Sequence, residues 1–307
     1  MKSYAGYYKD SIREISSSGA IFCALAKYIL QEKGVVYAVC MTIDKYSAHF
    51  ERATDFNVVK KMLGSKYMQA TMGDSYKQVR KDLDNGFQVL FCGTICQING
   101  LKLFLRRDYE NLVCIDIICH GVPSHKLWKK YLMYREETIG KCNNLNFRSK
   151  EQGWYNSGIK ENNIFTPQCE NDYMNLFLKD LCLRPSCYKC ICKKTKLSDI
   201  TLGDLWGVNE VAPELNDDKG ISTIILRTTK AEKIFDSIKD ELVFKEITYK
   251  EATLDNPAEY ESSKKPSIRK NFYKDLEKKT FKTFLKKYLE QTLFWKYLRK
   301  IQRKIFD

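Results

Sequence analysis

Four cysteines lie close together in the second half of the chain, where their spacing could support metal chemistry. Cys182, Cys187, Cys190 and Cys192 fall within eleven residues, and the first three have the spacing C-x4-C-x2-C. Plant-type iron–sulfur proteins place three cluster ligands with this spacing and take a fourth from elsewhere in the chain. The spacing therefore predicts an iron–sulfur site, with Cys96 as the first candidate for the fourth ligand and Cys192 as the second.

Two other interpretations fit the same segment. A structural zinc ion also uses C-x2-C pairs such as Cys187 and Cys190. Zinc knuckles usually combine two short Cys/His clusters, however, and the sequence contains only this one. A set of free buried thiols is less favoured still, because clustered cysteines in a reducing compartment usually bind metal. Spacing alone thus favours an iron–sulfur cluster over zinc.

The remaining cysteines receive no ligand role. Cys23, Cys40 and Cys114 lie in helix or strand patterns, where a free cysteine usually behaves as a small core residue. Cys119 precedes His120, but neighbours in the chain do not necessarily bring their side chains together. The pair therefore gives little support to a cysteine-nucleophile hydrolase.

Glycine-containing turns before predicted helices are candidate phosphate sites. Ser16–Gly19 and Phe91–Gln97 place small or hydroxylated residues at helix entrances, where free backbone N–H groups bind anions. Neither turn matches a Walker loop or a G-x-G-x-x-G fingerprint. Gly203–Gly207 brackets an acid and an indole with glycines. Most turns of this kind are only helix caps, so alone they specify no ligand.

The elements that must position these residues alternate between strands and helices. Apolar runs predict strands at 35–43, 88–92, 112–118, 145–148, 200–202, 222–227 and 243–249. Amphipathic periodicity predicts helices at 20–32, 75–83, 98–105, 125–137 and 231–240. This order predicts an α/β or mixed α+β fold: a mixed sheet flanked by helices, with functional loops at the carboxyl ends of its strands.

Composition limits the class of protein. Hydrophobic residues make up 44% and charged residues 29% of the 307 residues, which is ordinary for a globular protein. No run approaches the roughly 18 apolar residues of a membrane span, and the first ten residues contain no apolar signal segment. We therefore expect a cytoplasmic protein, in which the 12 cysteines favour metal or redox chemistry over disulfides.

The formal charge of +14 is concentrated near the C-terminus. Residues 264–307 contain fifteen Lys or Arg and four Asp or Glu, which leaves about +3 for the rest of the chain. Apolar residues recur there at helical spacing, namely Phe281, Phe284, Leu285, Tyr288, Leu289 and Leu293. They predict a basic amphipathic helix that either packs on its own domain or contacts an acidic partner or the inner membrane face. No recognised nucleic-acid module is present, so no nucleic-acid partner is expected.

Six segments, in order, resemble the coenzyme F420 hydrogenase/dehydrogenase beta-subunit family, which includes the beta subunit of F420-reducing hydrogenase. The segments are Ser16–Ala20, Gly64–Tyr67, Phe91–Leu101, Ile118–Ser124, Leu181–Cys190 and Ser198–Gly207. Each is a weak signal alone, but their order and spacing fit the family from about residue 4 to residue 275.

The resemblance implies a flavoprotein that binds FAD beside a [4Fe–4S] cluster. Such proteins pass electrons between the cluster and a hydride-accepting small molecule, which is coenzyme F420 in several relatives. The resemblance implies that the cluster ligands are Cys96, Cys182, Cys187 and Cys190. It further implies that the flavin or its phosphates contact Ser17, Ser18, Gly19, Lys66, Gly93, Thr94, His120, Gly121, Ser124, Gly203, Asp204 and Trp206.

The resemblance also suggests a division of the chain. Residues 1–84 form the N-terminal part of the flavin-binding unit, 85–262 the catalytic part with the iron–sulfur loop, and 263–307 a basic tail. Many relatives begin with a ferredoxin-like segment that this sequence lacks, so we expect either a separate ferredoxin-type donor or a chain that is a fragment of a longer system. Ala20 and Ile95 replace a frequent Gly and Pro, and Cys192 is an additional thiol.

These observations lead to one main hypothesis and two alternatives. The main hypothesis is an FAD-dependent iron–sulfur oxidoreductase, whose substrate is coenzyme F420-like or belongs to surface-polysaccharide biosynthesis, where bacterial relatives are common. The first alternative is a zinc-stabilised scaffold without catalysis. The second is a transferase that binds phosphate or a sugar nucleotide through the glycine turns.

Overall fold

The computed structural model describes residues 1–290, which are built around a nine-stranded mixed sheet. The strands of the protein are β1 Lys2–Tyr8, β2 Val35–Met41, β3 Ala48–Ala53, β4 Ala70–Thr71, β5 Val89–Thr94, β6 Leu112–Ile117, β7 Leu145–Ser149, β8 Gly158–Glu161, β9 Ile164–Pro167, β10 Ile200–Asp204, β11 Ser222–Leu226 and β12 Leu242–Ile247. Across the large sheet they follow the order β12-β1-β11-β10-β6-β5-β2-β3-β4. Strands β7, β8 and β9 form a separate antiparallel sheet.

Four strands in the middle of the large sheet run parallel. Strand β6 pairs with β5 on one side and with β10 on the other, and β5 pairs in turn with β2. Strands β11, β1, β12 and β3 extend the sheet with antiparallel pairs. Because parallel strands end at a common edge, the loops that follow β5, β6 and β10 lie side by side.

Helices cover both faces of this sheet. They are α1 Ile21–Gln31, α2 Phe56–Met62, α3 Ser75–Asp84, α4 Ile95–Leu105, α5 His125–Ile139, α6 Asp172–Leu178, α7 Val208–Val211, α8 Thr229–Ile238, α9 Tyr249–Ala252, α10 Arg269–Lys278 and α11 Phe281–Leu285. One face packs against α1, α2 and α8, and the other against α3, α4 and α5. Coverage on both sides explains why the central strands are continuously apolar in sequence.

The predicted fold class is confirmed, since a mixed sheet lies between helices. All seven predicted strands and all five predicted helices are present, with ends shifted by a few residues. The sequence patterns missed β1, β3, β4, β8 and β9, together with several helices that include α6 and α10. Strand β1 reads KSYAGYY, and its residues 3–6 and 8 are buried. Its sequence neither alternates between polar and apolar residues nor forms a continuous apolar run, so it gives no clear strand signal.

The described part of the basic tail packs on its own domain. Phe284 and Tyr288 are buried, and the Phe281 ring lies 5.3 Å from that of Tyr134 in α5. Within residues 281–288 the apolar side is therefore covered by the fold, while Leu293 and residues 291–307 lie outside the described residues. Among residues 1–290, every helix is too short or too polar to cross a membrane.

Gly19 allows the chain before α1 to pass close to the sheet. A Cβ atom at this position would lie 2.4 Å from the Gly6 carbonyl oxygen and 2.9 Å from the Ser222 backbone nitrogen. Both are backbone atoms of β1 and β11, so they cannot move aside as a flexible side chain would.

We expect Gly19→Ala to lower the free energy of unfolding by about 2–3 kcal/mol, because the added methyl group overpacks this contact. Ser18→Ala is the matched control, since it removes only the hydrogen bond from Ser18 Oγ to the Ile221 carbonyl (2.8 Å), which contributes about 1 kcal/mol. Urea unfolding of both variants measures the difference. Equal losses would show that Gly19 is not sterically constrained.

Candidate functional site

A deep cleft opens at the common edge where the parallel strands end. It has a volume of about 700 Å³, within the range of about 300–1,000 Å³ typical of cofactor and ligand sites. The loops after β5, β6 and β10 form its floor, and the segments around Ser17 and Lys66 form the opposite wall. The cleft therefore lies where ligands bind in open α/β sheets, outside the carboxyl ends of the strands.

Most of the predicted flavin contacts line this cleft. They are Ser17, Ser18, Lys66, Gly93, Thr94, His120, Gly121, Gly203, Asp204 and Trp206. The structure does not bring Gly19 or Ser124 into the lining. Gly19 lies against β1 and β11, and Ser124 precedes α5, with its backbone N–H donating to the Cys182 carbonyl at 2.9 Å.

Thr94 starts helix α4 at the floor of the cleft. Its side chain and that of Gln97 form a capping box, in which Gln97 Oε1 accepts from the Thr94 backbone N–H at 2.9 Å. The cap fixes the direction of the first helical turn, which contains Cys96. Thr94 Oγ1 lies 3.2 Å from Cys96 Sγ. The capping sequence is therefore what presents the Cys96 thiol at the surface beside the cleft.

A smaller chamber adjoins the cleft and is lined by four cysteines. The thiol chamber has a volume of about 30 Å³, and its cysteines are Cys96, Cys119, Cys187 and Cys190. The two cavities share lining residues, namely Thr94, Cys96, Ile117, Cys119, His120, Gly121, Val122 and Ala258. A group held in the chamber would therefore lie next to one held in the cleft.

Two short 3₁₀ turns carry the cysteines of the iron–sulfur segment. Pro185–Lys189 includes Cys187, whose backbone N–H donates to the Arg184 carbonyl at 2.9 Å, and Ile191–Lys193 follows directly after Cys190. The Val122 backbone N–H points at Cys187 Sγ from 3.4 Å. Burial raises the pKa of the Cys187 thiol, and this backbone donor offsets part of that rise.

Cys182 lies apart from the thiol chamber. It is fully buried in the core, where burial raises the pKa of its thiol to about 12. Its backbone carbonyl accepts from Ser124 and from the Tyr273 hydroxyl, so the residue joins the loop before α5 to α10. Cys119 lines the chamber with Cys96, Cys187 and Cys190, and Cys182 does not.

Cys119 is the residue that sequence reasoning missed. The pattern did place Cys119 directly after a buried strand, and β6 ends at Ile117. This was the available signal for a position close to Cys96. Both β5 and β6 were predicted as strands with functional loops at their carboxyl ends, and Cys96 and Cys119 lie in those two loops. Cys192 is half-buried near Cys190 and does not line the chamber. No group of three or more His, Cys, Asp or Glu side chains among residues 1–290 is arranged to hold a single metal ion.

Buried cations surround the thiol chamber. Lys193 Nζ donates to the Cys119 carbonyl at 2.8 Å and to that of Ala258, and burial lowers the pKa of Lys193. Lys196 pairs with the fully buried Glu259 and lies 3.5 Å from Asp116. Positive charge near thiols stabilises their deprotonated, metal-binding form.

Arg148 and Lys66 bring positive charge to the cleft itself. Arg148 is 4% exposed, and its Nη1 lies 3.0 Å from Asp204 Oδ2. Its Nε atom has no hydrogen-bond partner within residues 1–290. Trp206 stacks on Trp154 with ring centres 5.0 Å apart, and the guanidinium lies 5.2 Å from the Trp206 ring.

Lys66 is held by backbone carbonyls rather than by an acid. Its Nζ donates to the carbonyls of Met62 (2.5 Å), Leu63 (2.8 Å) and Gly64 (3.0 Å). Burial without a carboxylate lowers the pKa of Lys66 to about 8. Across the cleft, His120 Nε2 lies 2.7 Å from Asp180 Oδ1. Because the three N–H groups of Lys66 are donated to the backbone carbonyls, Lys66 would attract an anionic ligand through its charge.

Comparison with known protein families identifies the chain. Residues 3–76 match the N-terminal part of the coenzyme F420 hydrogenase/dehydrogenase beta subunit, and residues 87–251 match the C-terminal part of the same family. The chain belongs to this family. The sequence resemblance is thereby confirmed. Searching curated protein sequences found no relative.

A solved structure shares the fold of this family member. It is described as a xenon derivative of the F420-reducing [NiFe] hydrogenase complex from Methanosarcina barkeri. The match has a TM-score of 0.56 at 18% identity and covers 92% of this chain and 90% of the other. At this identity the likeness establishes the architecture and not the ligands.

The low pKa of Lys66 predicts a pH-dependent stability. Its folded pKa of about 8 lies below the ordinary value of 10.5. Between these values the unfolded chain binds more protons than the folded one, so stability rises with pH. We expect the unfolding free energy of the wild type, relative to Lys66→Met, to increase by roughly 2 kcal/mol from pH 8 to pH 10.

The Lys66→Met comparison isolates this residue. Lys150 also has a pKa lowered to about 8, but it is present in both proteins and its contribution cancels. Chemical denaturation across the pH series provides the measurement. Parallel curves for the two proteins would mean that the Lys66 ammonium is not desolvated.

Proposed function

We propose that the protein is an FAD-dependent iron–sulfur oxidoreductase that passes electrons between a [4Fe–4S] cluster and a hydride-accepting small molecule. The observation that carries this proposal is the wall shared by the thiol chamber and the cleft. A one-electron centre and a two-electron cofactor must lie close together to exchange electrons, and the shared wall supports such an arrangement.

The cluster would be held by Cys96, Cys119, Cys187 and Cys190. Four thiols from three separate loops line one chamber, which is the donor set that a four-iron cluster requires. The cluster supplies one-electron transfer when bound. This assignment replaces Cys182 of the sequence-based ligand set with Cys119, because Cys182 is packed into the core.

FAD would occupy the cleft. The volume of the cleft suits a cofactor, and Arg148 lines it beside its ion-pair partner Asp204, with a buried Nε donor that has no hydrogen-bond partner within residues 1–290. The capped N-terminus of α4 and the Ser17 and Ser18 segment border the same space and suit the pyrophosphate. Bound flavin supplies transfer of one or two electrons. The residues that line the cleft would orient it.

We propose a substrate and an electron donor from the family membership. The related hydrogenase is described as F420-reducing, so a deazaflavin such as coenzyme F420 is the first substrate to test, with an intermediate of surface-polysaccharide biosynthesis as the second. We propose a ferredoxin-type electron donor and a cytoplasmic location. Residues 1–84 and 85–262 would both contribute to the flavin site, since the cleft has walls from each.

For the basic tail, only the lysines are proposed to contact a partner or a membrane. Residues 281–288 bury their apolar side on the domain, which leaves no apolar face of that stretch to enter a bilayer. Contact of the tail with an acidic partner or an anionic membrane therefore stays a prediction for the charged residues of 264–307.

We expect Cys119→Ser to lose most of its bound iron, because it removes one of four cluster ligands. Cys182→Ser should retain iron close to the wild-type content of about four per chain. Iron and acid-labile sulfide are measured on anaerobically purified protein, together with the dithionite-bleachable visible absorption. Flavin released by denaturation is identified by chromatography.

Other outcomes of these measurements would contradict the proposed ligand set or the proposed chemistry. Iron lost from Cys182→Ser and kept in Cys119→Ser would restore the ligand set predicted by spacing and contradict the chamber. A colourless wild-type protein with one zinc ion would overturn the redox proposal in favour of the scaffold. A protein with neither metal nor flavin that binds a sugar nucleotide would favour the transferase.

A further inference from the structure

The surface outside the thiol chamber combines exposed apolar side chains with lysines. We define the chamber face as Leu103, Lys189, Ile191, Lys194 and Leu197. Ile191 is 81% exposed, Leu103 72% and Leu197 40%, which are high values for large apolar residues. Three such residues within one small region form a patch of the kind found at interaction sites.

Asn99 joins the two elements that carry this face. Its Nδ2 donates to the Thr195 carbonyl at 2.7 Å, and its Oδ1 accepts from the Leu197 backbone N–H at 3.2 Å. Cys96 lies one turn before Asn99 on α4, and Leu103 lies one turn after it, so the three share one side of the helix. The chamber face is therefore a fixed surface, continuous with the exposed Cys96 thiol.

The charge of this region is one-sided. Residues 181–198 contain five cations and no acidic residue. Lys193 and Lys196 point inward, as described above. Lys189 and Lys194 are exposed, and neither forms an ion pair within residues 1–290. The neighbouring stretch 261–265 adds one glutamate and two lysines, so the positive sign extends around the chamber face.

We propose that the chamber face is the docking site of a small acidic electron-carrier protein. This inference rests on the proposed function, because it assumes a cluster in the thiol chamber. An apolar centre with a charged rim matches the anatomy of a transient protein interface, and free lysines steer an acidic partner to it. One electron passes at this face: the reduced carrier loses it, and the cluster gains it.

A membrane is the less favoured occupant. Electrostatic attachment to anionic lipid typically needs clusters of about 4–8 basic residues. The chamber face itself has two exposed lysines, Lys189 and Lys194, and the neighbouring Lys264 and Lys265 bring the number only to the lower end of that range. Lys189 and Lys194 flank the apolar Ile191, which suits a compact partner of opposite charge.

The test uses full-length protein and an acidic [4Fe–4S] ferredoxin as probe. Affinity for the oxidised ferredoxin is measured by titration calorimetry at low and high ionic strength for Lys189→Glu/Lys194→Glu. The matched control is Lys233→Glu/Lys250→Glu, which makes the same charge change at exposed lysines of α8 and α9. We expect affinity to fall about ten-fold or more at low salt for the first variant only. The salt dependence of the wild type should flatten in that variant.

The electron-transfer arm separates the two proposals. Reduced methyl viologen is a small cation that needs no docking site, so it should reduce the cluster of the variant at least as fast as that of the wild type, while reduced ferredoxin should be slower with the variant. An equal loss of ferredoxin affinity in both double variants would overturn the docking site alone. So would wild-type protein that accepts electrons from methyl viologen but does not bind ferredoxin. Selective loss of binding to phosphatidylglycerol vesicles, with ferredoxin affinity unchanged, would assign the face to a membrane. Absence of any reducible cluster in the wild type would overturn the proposed function and this inference with it.

Discussion

Because β5, β6 and β10 pair in parallel, three loops that are distant in sequence meet at one edge of the sheet. The loop after β5 carries Cys96, and the loop after β6 carries Cys119 and His120. The segment before β10 contributes Cys187 and Cys190, and the loop after it contributes Asp204 and Trp206. Antiparallel pairing of β5 with β6 would send the loop with Cys96 or the loop with Cys119 to the far edge and open the chamber, and reversal of β10 would remove Asp204 and Trp206 from the cleft.

The same arrangement explains the distribution of buried charge. A group of thiols that is to bind metal must lose its protons, and burial opposes that loss, as the raised pKa values of Cys119 and Cys182 illustrate. Lys193 and Lys196 are therefore placed beside the chamber, with Glu259 and Arg227 linking them to the sheet; Arg227 Nη2 lies 2.5 Å from Glu259 Oε1. In the sequence Lys193 and Lys196 resemble ordinary surface charges, but in the structure they lie beside the thiol chamber.

The C-terminal segment is the most strongly charged part of the chain. In sequence it accounts for most of the net +14, yet its described part behaves as an ordinary packed element. Phe272, Phe284 and Tyr288 form a buried aromatic group, with the Phe272 and Phe284 rings 5.0 Å apart. Packing of this kind closes the core beside α5 and α6 and turns the lysines outward.

The sequence by itself determined the fold class, the family and most of the cleft. Buried strands and amphipathic helices have strong periodic signals, because each must place its apolar residues on a covered face. Capped turns such as Thr94–Gln97 are equally local, since the cap and the residue it bonds are three positions apart. The family resemblance, which also comes from the sequence, implied twelve residues at the flavin site, and ten of them line the cleft.

Only the tertiary structure decided which thiols meet. The spacing of Cys182, Cys187 and Cys190 is a local property, but convergence on one chamber depends on strand pairing and on loop direction, neither of which spacing encodes. Cys182 turns into the core while Cys119, more than sixty residues earlier, takes the place beside Cys96. Gly19 is a second example. The family resemblance placed it at the flavin site, whereas in the structure the close approach of β1 and β11 is what requires a glycine there.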